Sequence, residues 1–111
     1  MRGLAVLLLV CVAASCGEDH SRTQLAKTLI ADHCAACHRV PGVAVAQGRV
    51  GPSLAHIGQQ QMIAGYFANT PDMLTRWVEN PQALLPGNAM PTMGLSHDQA
   101  AAIVDYLYTM D

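Results

Sequence analysis

Cys34-Ala35-Ala36-Cys37-His38 is a Cys-x-x-Cys-His run, the spacing by which c-type haem is attached to protein. Two thiols add across the porphyrin vinyl groups, and the adjacent imidazole is delivered to the iron. Two intervening residues on a helical turn set the thiols at about the separation of the vinyls, and His38 follows without slack. The pentapeptide alone also fits a zinc half-site or a dithiol redox pair. Structural zinc takes four ligands, with a second Cys or His pair at short spacing. Here only His33 and His38 adjoin the thiols, while His56 and His97 stand isolated. A thioredoxin-like motif belongs in a βαβ setting, and the chain has no strand pattern. Covalent haem is the leading reading.

Upstream, Arg2 precedes an unbroken apolar run from Leu4 to Ala14, and Ala13-Ala14-Ser15 stand directly before Cys16. This is the pattern of a secretory signal over residues 1–15, too short for a spanning helix. Small residues followed by cysteine resemble the bacterial lipobox, which implies a diacylated Cys16 as the mature N-terminus. A plain signal peptide cleaved nearby is the alternative. Cys11 follows the bulky Val10 and is expected to be discarded. Residues 16–22 read as a polar tether to a domain spanning 23–111. If flexible, the tether reaches about 15 Å and holds that domain close to a membrane surface. Work on the extracytoplasmic (periplasmic) side is where free thiols are unsafe. With Cys16 taken by lipid, only Cys34 and Cys37 remain, so no structural disulfide is expected.

Once Arg2 is removed, the basic residues are Arg22, Lys27, Arg39, Arg49 and Arg76, against eight acidic ones. This mildly acidic balance argues against nucleic acid as a partner, which asks for a basic stripe, and against a lysine-rich docking ring. A domain of this size buries only about 60–65% of its unfolded surface. Without disulfides, a covalent haem would supply most of its core.

Thr23 to Ala36 reads as a helix with Leu25, Leu29 and Ile30 on one side. Pro41-Gly42 ends the motif turn, Val43 to Gly51 reads as loop, and Pro52 to Gly58 has room for one helical turn. Thr70-Pro71-Asp72 is a helix start, with a hydroxyl N-cap and proline at the first helical position. Met73, Leu74, Trp77 and Val78 then recur at helical spacing until Asn80-Pro81 stops the helix. Ala83 to Leu95 holds two prolines and two glycines, too many for a regular element. Ser96 and Gln99 form a capping box ahead of a helix to Met110, with Ala100, Ile103, Val104 and Leu107 on its apolar face. The fold class is therefore all-α.

His38 supplies one axial bond to iron. A thioether, an imidazole or nothing stands on the other side, and Met90 and Met93 both lie in the proline-rich loop. His/Met ligation raises the reduction potential, and a prolyl-framed loop holds a weak ligand at little entropic cost. Ligation by a second histidine, His56 or His97, is the alternative.

Asp72 to Pro81, followed by Pro86-Gly87-Asn88-Ala89-Met90, resembles the helix and loop of class I cytochromes c. It is similar too to the cytochrome domain fused to subunit II of some haem–copper oxidases. Gly51-Pro52-Ser53-Leu54 resembles the family's Gly-Pro-x-Leu segment, and Ile103-Val104-Asp105-Tyr106-Leu107 its C-terminal helix. The resemblance runs from about Gln24 to the end of the chain. It implies the cytochrome c fold, three main helices and loops wrapped around one covalent haem c. Cys34 and Cys37 would hold it as thioethers, with His38 and Met90 as axial ligands. The Pro52 carbonyl would accept the proton on the far nitrogen of His38, fixing its orientation. Leu54 would pack on the haem face, the Trp77 indole would tune the methionine sulfur, and Asn88 would reach a propionate. Two departures stand out. Ala26 and Ile30 occupy positions where relatives often carry glycine and an aromatic, so a looser crossing against Tyr106 is expected. Gln59 replaces a frequent propionate-pairing arginine, with Arg39 or Arg49 as substitutes.

The expected function is single-electron transfer by a membrane-tethered monohaem cytochrome, not an enzyme, in a respiratory chain. Its partners would be redox proteins, an oxidase or a dehydrogenase. With few basic residues, docking would use an apolar patch and depend weakly on salt. The alternatives are an electron-entry subunit of a larger oxidase or dehydrogenase complex, and a haem enzyme or sensor with an open sixth position.

Overall fold

The computed structural model describes residue 3 and residues 14–110. The apolar run before Ala14, including Cys11, lies outside the described residues. Four α-helices follow in order: α1 (Ala14–His33), α2 (Pro71–Glu79), α3 (Pro81–Leu84) and α4 (His97–Tyr108). A 3-10 turn at Ile57–Gln59 and an antiparallel pair, β1 (Met62–Ile63) and β2 (Phe67–Ala68), lie between α1 and α2.

The helix ends follow their local chemistry. At α2, the Thr70 hydroxyl accepts from the Met73 N–H at 3.1 Å, and Pro71 occupies the first turn. At α4 both arms of the capping box form: Gln99 N–H to Ser96 Oγ at 3.2 Å, and Ser96 N–H to Gln99 Oε1 at 2.9 Å. Each satisfies an otherwise orphaned backbone donor.

α4 packs against both α1 and α2, and its Ala100, Ile103, Val104 and Leu107 are buried. On α1 the core stripe is Ala26, Leu29 and Ile30, spaced i, i+3, i+4, whereas Leu25 is 45% exposed. The helical period leaves room for one of the two leucines on that face, and Leu25 falls off it. Ala26 and Ile30, where a looser crossing was expected, are both fully buried. Tyr106 also reaches across, its hydroxyl donating to the Pro41 carbonyl at 2.6 Å.

Three elements differ from the sequence expectation. Residues 16–22, expected as an irregular tether, continue α1, with exposed side chains. Propagating a helix already nucleated by the packed turns costs little, and Arg22 Nε meets Asp105 Oδ2 at 2.9 Å. The segment therefore rises only about 10 Å. Next, the described chain is not purely helical. Each strand of the hairpin is two residues long, too short to display alternation. Finally, Pro81 begins the single turn α3 rather than merely ending α2. The Asn80 side chain accepts from the Ala83 N–H at 3.1 Å and caps that turn.

The candidate haem site

The motif follows directly on α1. Cys34 N–H donates to the Ile30 carbonyl at 2.9 Å and His38 N–H to the Cys34 carbonyl at 2.9 Å, so one further turn carries all three side chains. The chain after it folds back onto the motif through backbone bonds: Gly51 N–H to Cys37 O at 2.7 Å, Gly48 N–H to His38 O at 3.2 Å, and Leu54 N–H to Arg39 O at 2.9 Å. This return requires bare backbone. A Cβ on Gly51 would lie 2.8 Å from His38 Nδ1, and one on Gly48 would lie 2.6 Å from the backbone N of His38. A larger residue at either position would force the ring or the neighbouring main chain to shift.

His38 Nδ1 lies 2.6 Å from the Pro52 carbonyl oxygen. A carbonyl can only accept, so the ring proton sits on Nδ1 and Nε2 carries the free lone pair. The imidazole is thus held in the tautomer a metal ligand requires.

Cys34 and Cys37 are not bonded to one another. Burial pushes the Cys34 thiol up to about 11, with Cys37 adding to the effect. Reactive dithiols work with a lowered pKa, and here the environment acts in the opposite direction. Among the described residues there is also no cluster of three or more His, Cys, Asp or Glu arranged for a metal ion. Neither observation favours the zinc or the dithiol reading of Cys-x-x-Cys.

His38, both cysteines, Met90 and Met93 border one cavity of about 380 Å³. Ile30 of α1, Leu54, Ile63 of β1, Leu74 and Trp77 of α2, and Ile103 and Leu107 of α4 complete much of its wall. Among the described residues no Asp, Glu, Lys or Arg lines it; the polar ones that do are His33, His38, Gln60 and Asn88. Protein interiors are otherwise close-packed. An apolar cavity bordered by two thiols, a correctly tautomerised imidazole and a thioether fits a covalently held haem. Trp77 is buried beside it, its ring 6.0 Å from that of Phe67.

Several expected contacts fall elsewhere. Arg39, Arg49, His56 and His97 do not border the cavity, so neither histidine stands where Met90 does. Asn88 does border it, but its amide serves the loop. Nδ2 donates to the Leu85 carbonyl at 2.7 Å and the Pro81 carbonyl at 3.2 Å, and Oδ1 accepts from the Met90 N–H at 2.7 Å. Both amide hydrogens are engaged, which leaves none for the propionate contact expected from the resemblance.

The structure adds a residue that sequence reasoning passed over. Gln82, on α3, donates from Nε2 to the carbonyls of Asn88 (2.9 Å) and Met90 (2.7 Å), and its Oε1 accepts from Gly87 N–H at 3.0 Å. No local pattern marks it, because its partners lie five to eight residues onward on a folded-back loop.

A helical fold that brings Cys-x-x-Cys-His and a methionine loop onto one apolar cavity defines a c-type cytochrome of class I. The chain belongs to the cytochrome c family, whose family model matches residues 23–111. Family membership carries with it covalent haem c and a role in electron transfer. Among curated relatives, it is 35% identical over 78 residues to a cytochrome c oxidase subunit 2 from Alkalihalophilus pseudofirmus, covering 69% of this chain and 22% of that protein. It is 31% identical over 90 residues to cytochrome c2 iso-2 from Magnetospirillum molischianum, covering 69% of this chain and 90% of the relative. The chain thus spans less than a quarter of the oxidase subunits it matches. Its fold is similar to the crystal structure of the c-type cytochrome SorU from Sinorhizobium meliloti, with TM-score 0.58, 20% identity, and coverage of 82% of this chain and 92% of that one.

Proposed function

We propose that this chain is a monohaem, membrane-tethered one-electron carrier of a respiratory chain, with His38 and Met90 as the axial pair. The observation that carries the reading is that His38, its Nδ1 held by the Pro52 carbonyl, and the braced Met90 border the same cavity, which no acidic, lysine or arginine side chain among the described residues lines. Bound haem c supplies an iron that alternates between ferric and ferrous states. The residues of the chain do the rest. Cys34 and Cys37 would supply the sulfurs of the covalent linkage, His38 and Met90 would be the ligands the chain offers to the iron, and the apolar wall would keep water out. A site filled on both sides and held by a preformed frame favours fast electron transfer over bond chemistry.

The membrane tether rests on the signal-like residues 1–15 and on Cys16, which is exposed near the start of α1. Among the described residues no helix is long and apolar enough to cross a membrane. Attachment would be through lipid on Cys16, which follows the small residues Ala13-Ala14-Ser15. The protein would then act on the extracytoplasmic face, delivering electrons to an oxidase or taking them from a dehydrogenase. The small number of basic residues in the chain supports docking that depends little on salt.

Oxidised and reduced visible spectra of protein matured with haem c test the ligand assignment. Narrow low-spin bands on reduction, with the weak far-red sulfur-to-iron band when oxidised, are the expected result. A high-spin spectrum would point to an open sixth position. A second reading, an electron-entry subunit, draws on the similarity to cytochrome c oxidase subunit 2. Co-purification with a terminal oxidase from detergent-solubilised membranes distinguishes a subunit from a free carrier.

A further inference from the structure

The loop carrying Met90 is short of regular structure, yet one side chain holds it at three points. Gln82 stands on α3, the turn capped by Asn80 and begun by the fully buried Pro81. From that platform its amide engages Gly87 N–H at 3.0 Å, Asn88 O at 2.9 Å and Met90 O at 2.7 Å. All three hydrogen-bonding capacities in use are directed at main chain, two of them at carbonyls flanking Ala89. Asn88 completes the frame from within the loop by accepting from Met90 N–H at 2.7 Å. The peptide groups on either side of the Met90 Cα are therefore both fixed, one through Gln82 and one through Asn88. Among the described residues nothing comparable holds Met93. The one side-chain bond beside it, Thr92 Oγ1 to Asn80 Oδ1 at 2.9 Å, ties the loop to the cap of α3 rather than to the Met93 main chain.

We propose that Gln82 is the positioning residue for the axial methionine: it fixes the Met90 main chain so that the thioether stays on the cavity, and it is the reason Met90 rather than Met93 serves as ligand. The proposal rests on the His38/Met90 reading. A thioether is a weak ligand, so its occupancy depends on how little entropy is lost when it binds. A main chain already fixed at both peptide groups has little left to lose. Removing the brace should leave covalent haem attachment intact while making the methionine easier to displace.

The test uses haem-loaded protein and imidazole as the competing ligand, followed by loss of the far-red band in the ferric state. Gln82→Leu removes all three bonds at similar length. It is expected to bind imidazole about tenfold more tightly than the parent and to lower the reduction potential. Thr92→Val, which removes a loop tie not directed at Met90, is expected to bind imidazole as the parent does. Gln82→Glu keeps the acceptor for Gly87 but sets a carboxylate against two carbonyls, and should match Gln82→Leu. In the unaltered protein, Gly87 N–H is expected to be protected from hydrogen exchange, since its partner is Gln82. Parent-like imidazole affinity in both Gln82 variants overturns the proposal, as does an unprotected Gly87 amide should the variants fail to fold. Met90→Ala separates the two readings. If it leaves the far-red band in place, the ligand assignment fails; if it abolishes the band while Gln82 variants behave as the parent, only the role of Gln82 fails.

Discussion

The two segments that deliver axial ligands are built on different principles. The His38 segment, from Cys34 to Leu54, is held by main chain against main chain, with glycines where the strands of chain touch and one carbonyl fixing the imidazole. The Met90 loop is held by side-chain amides reaching into main chain, those of Asn80, Gln82 and Asn88. Backbone bonds survive most substitutions, provided nothing bulky intrudes. Side-chain braces can be removed singly by mutation. The histidine side should therefore be intolerant of added volume, and the methionine side of lost amides.

The largest effect is expected on the histidine side. Gly51→Ala drives a Cβ into the His38 ring, and should cost about 1–3 kcal/mol and lower the yield of covalently loaded protein. Thermal unfolding and a stained-gel haem assay measure both; parent-like values would show that the return loop can shift aside. On the methionine side, Asn88→Ala deletes bonds to Pro81, Leu85 and Met90. It should cost about 1–2 kcal/mol in denaturant unfolding, without lowering haem attachment. Loss of attachment there would erase the contrast between the two sides.

Smaller effects sharpen the comparison. Ala64 in the hairpin turn holds a positive φ of 52°, a region that disfavours a Cβ. Ala64→Gly is expected to stabilise by up to about 1 kcal/mol, visible as a raised melting temperature. The least effect belongs to His97 and Glu79, which pair at 3.0 Å across the two ends of the methionine loop. The hydrogen bond to Glu79, then its charge, raises the His97 pKa above 6.5, with Asp98 and Asp72 adding to it. A raised folded pKa means that the pair contributes fully below 6.5 and that its contribution is lost as pH rises through the folded value. His97 is exposed and Glu79 only partly buried, so the change is small. His97→Gln should flatten the slope of stability against pH just above 6.5 in low salt, and an unchanged slope would remove the clasp from the account.

Much of the fold was legible because its signals are local. The capping box at Ser96 and Gln99, the Thr70 cap with Pro71, and the apolar spacing of α2 and α4 each act within a turn or two of helix. The Cys-x-x-Cys-His run and the Gly-Pro-x-Leu segment were equally plain, and the Pro52–His38 bond lies where the resemblance put it. The misses share a cause as well. Leu25 could not be excluded from the core until the position of α4 selected one stripe of α1. The hairpin was too short for its period to register, and residues 16–22 gave no sign that the neighbouring turns would carry the helix through them.

By itself the sequence determined the chemistry: two thiols, an imidazole and a methionine loop in an order that specifies covalent haem and an all-α frame. It determined these through residue identities at fixed short spacings, which the chain carries in any conformation. Only the tertiary structure decided how the ligands are held. It turned the Asn88 amide into the loop instead of outward, kept both candidate arginines off the cavity, and gave Gln82 its three main-chain partners. Those outcomes depend on where distant backbone carbonyls and amides come to rest after the loop folds back, and hydrogen bonds form only over the last few tenths of an ångström of that approach.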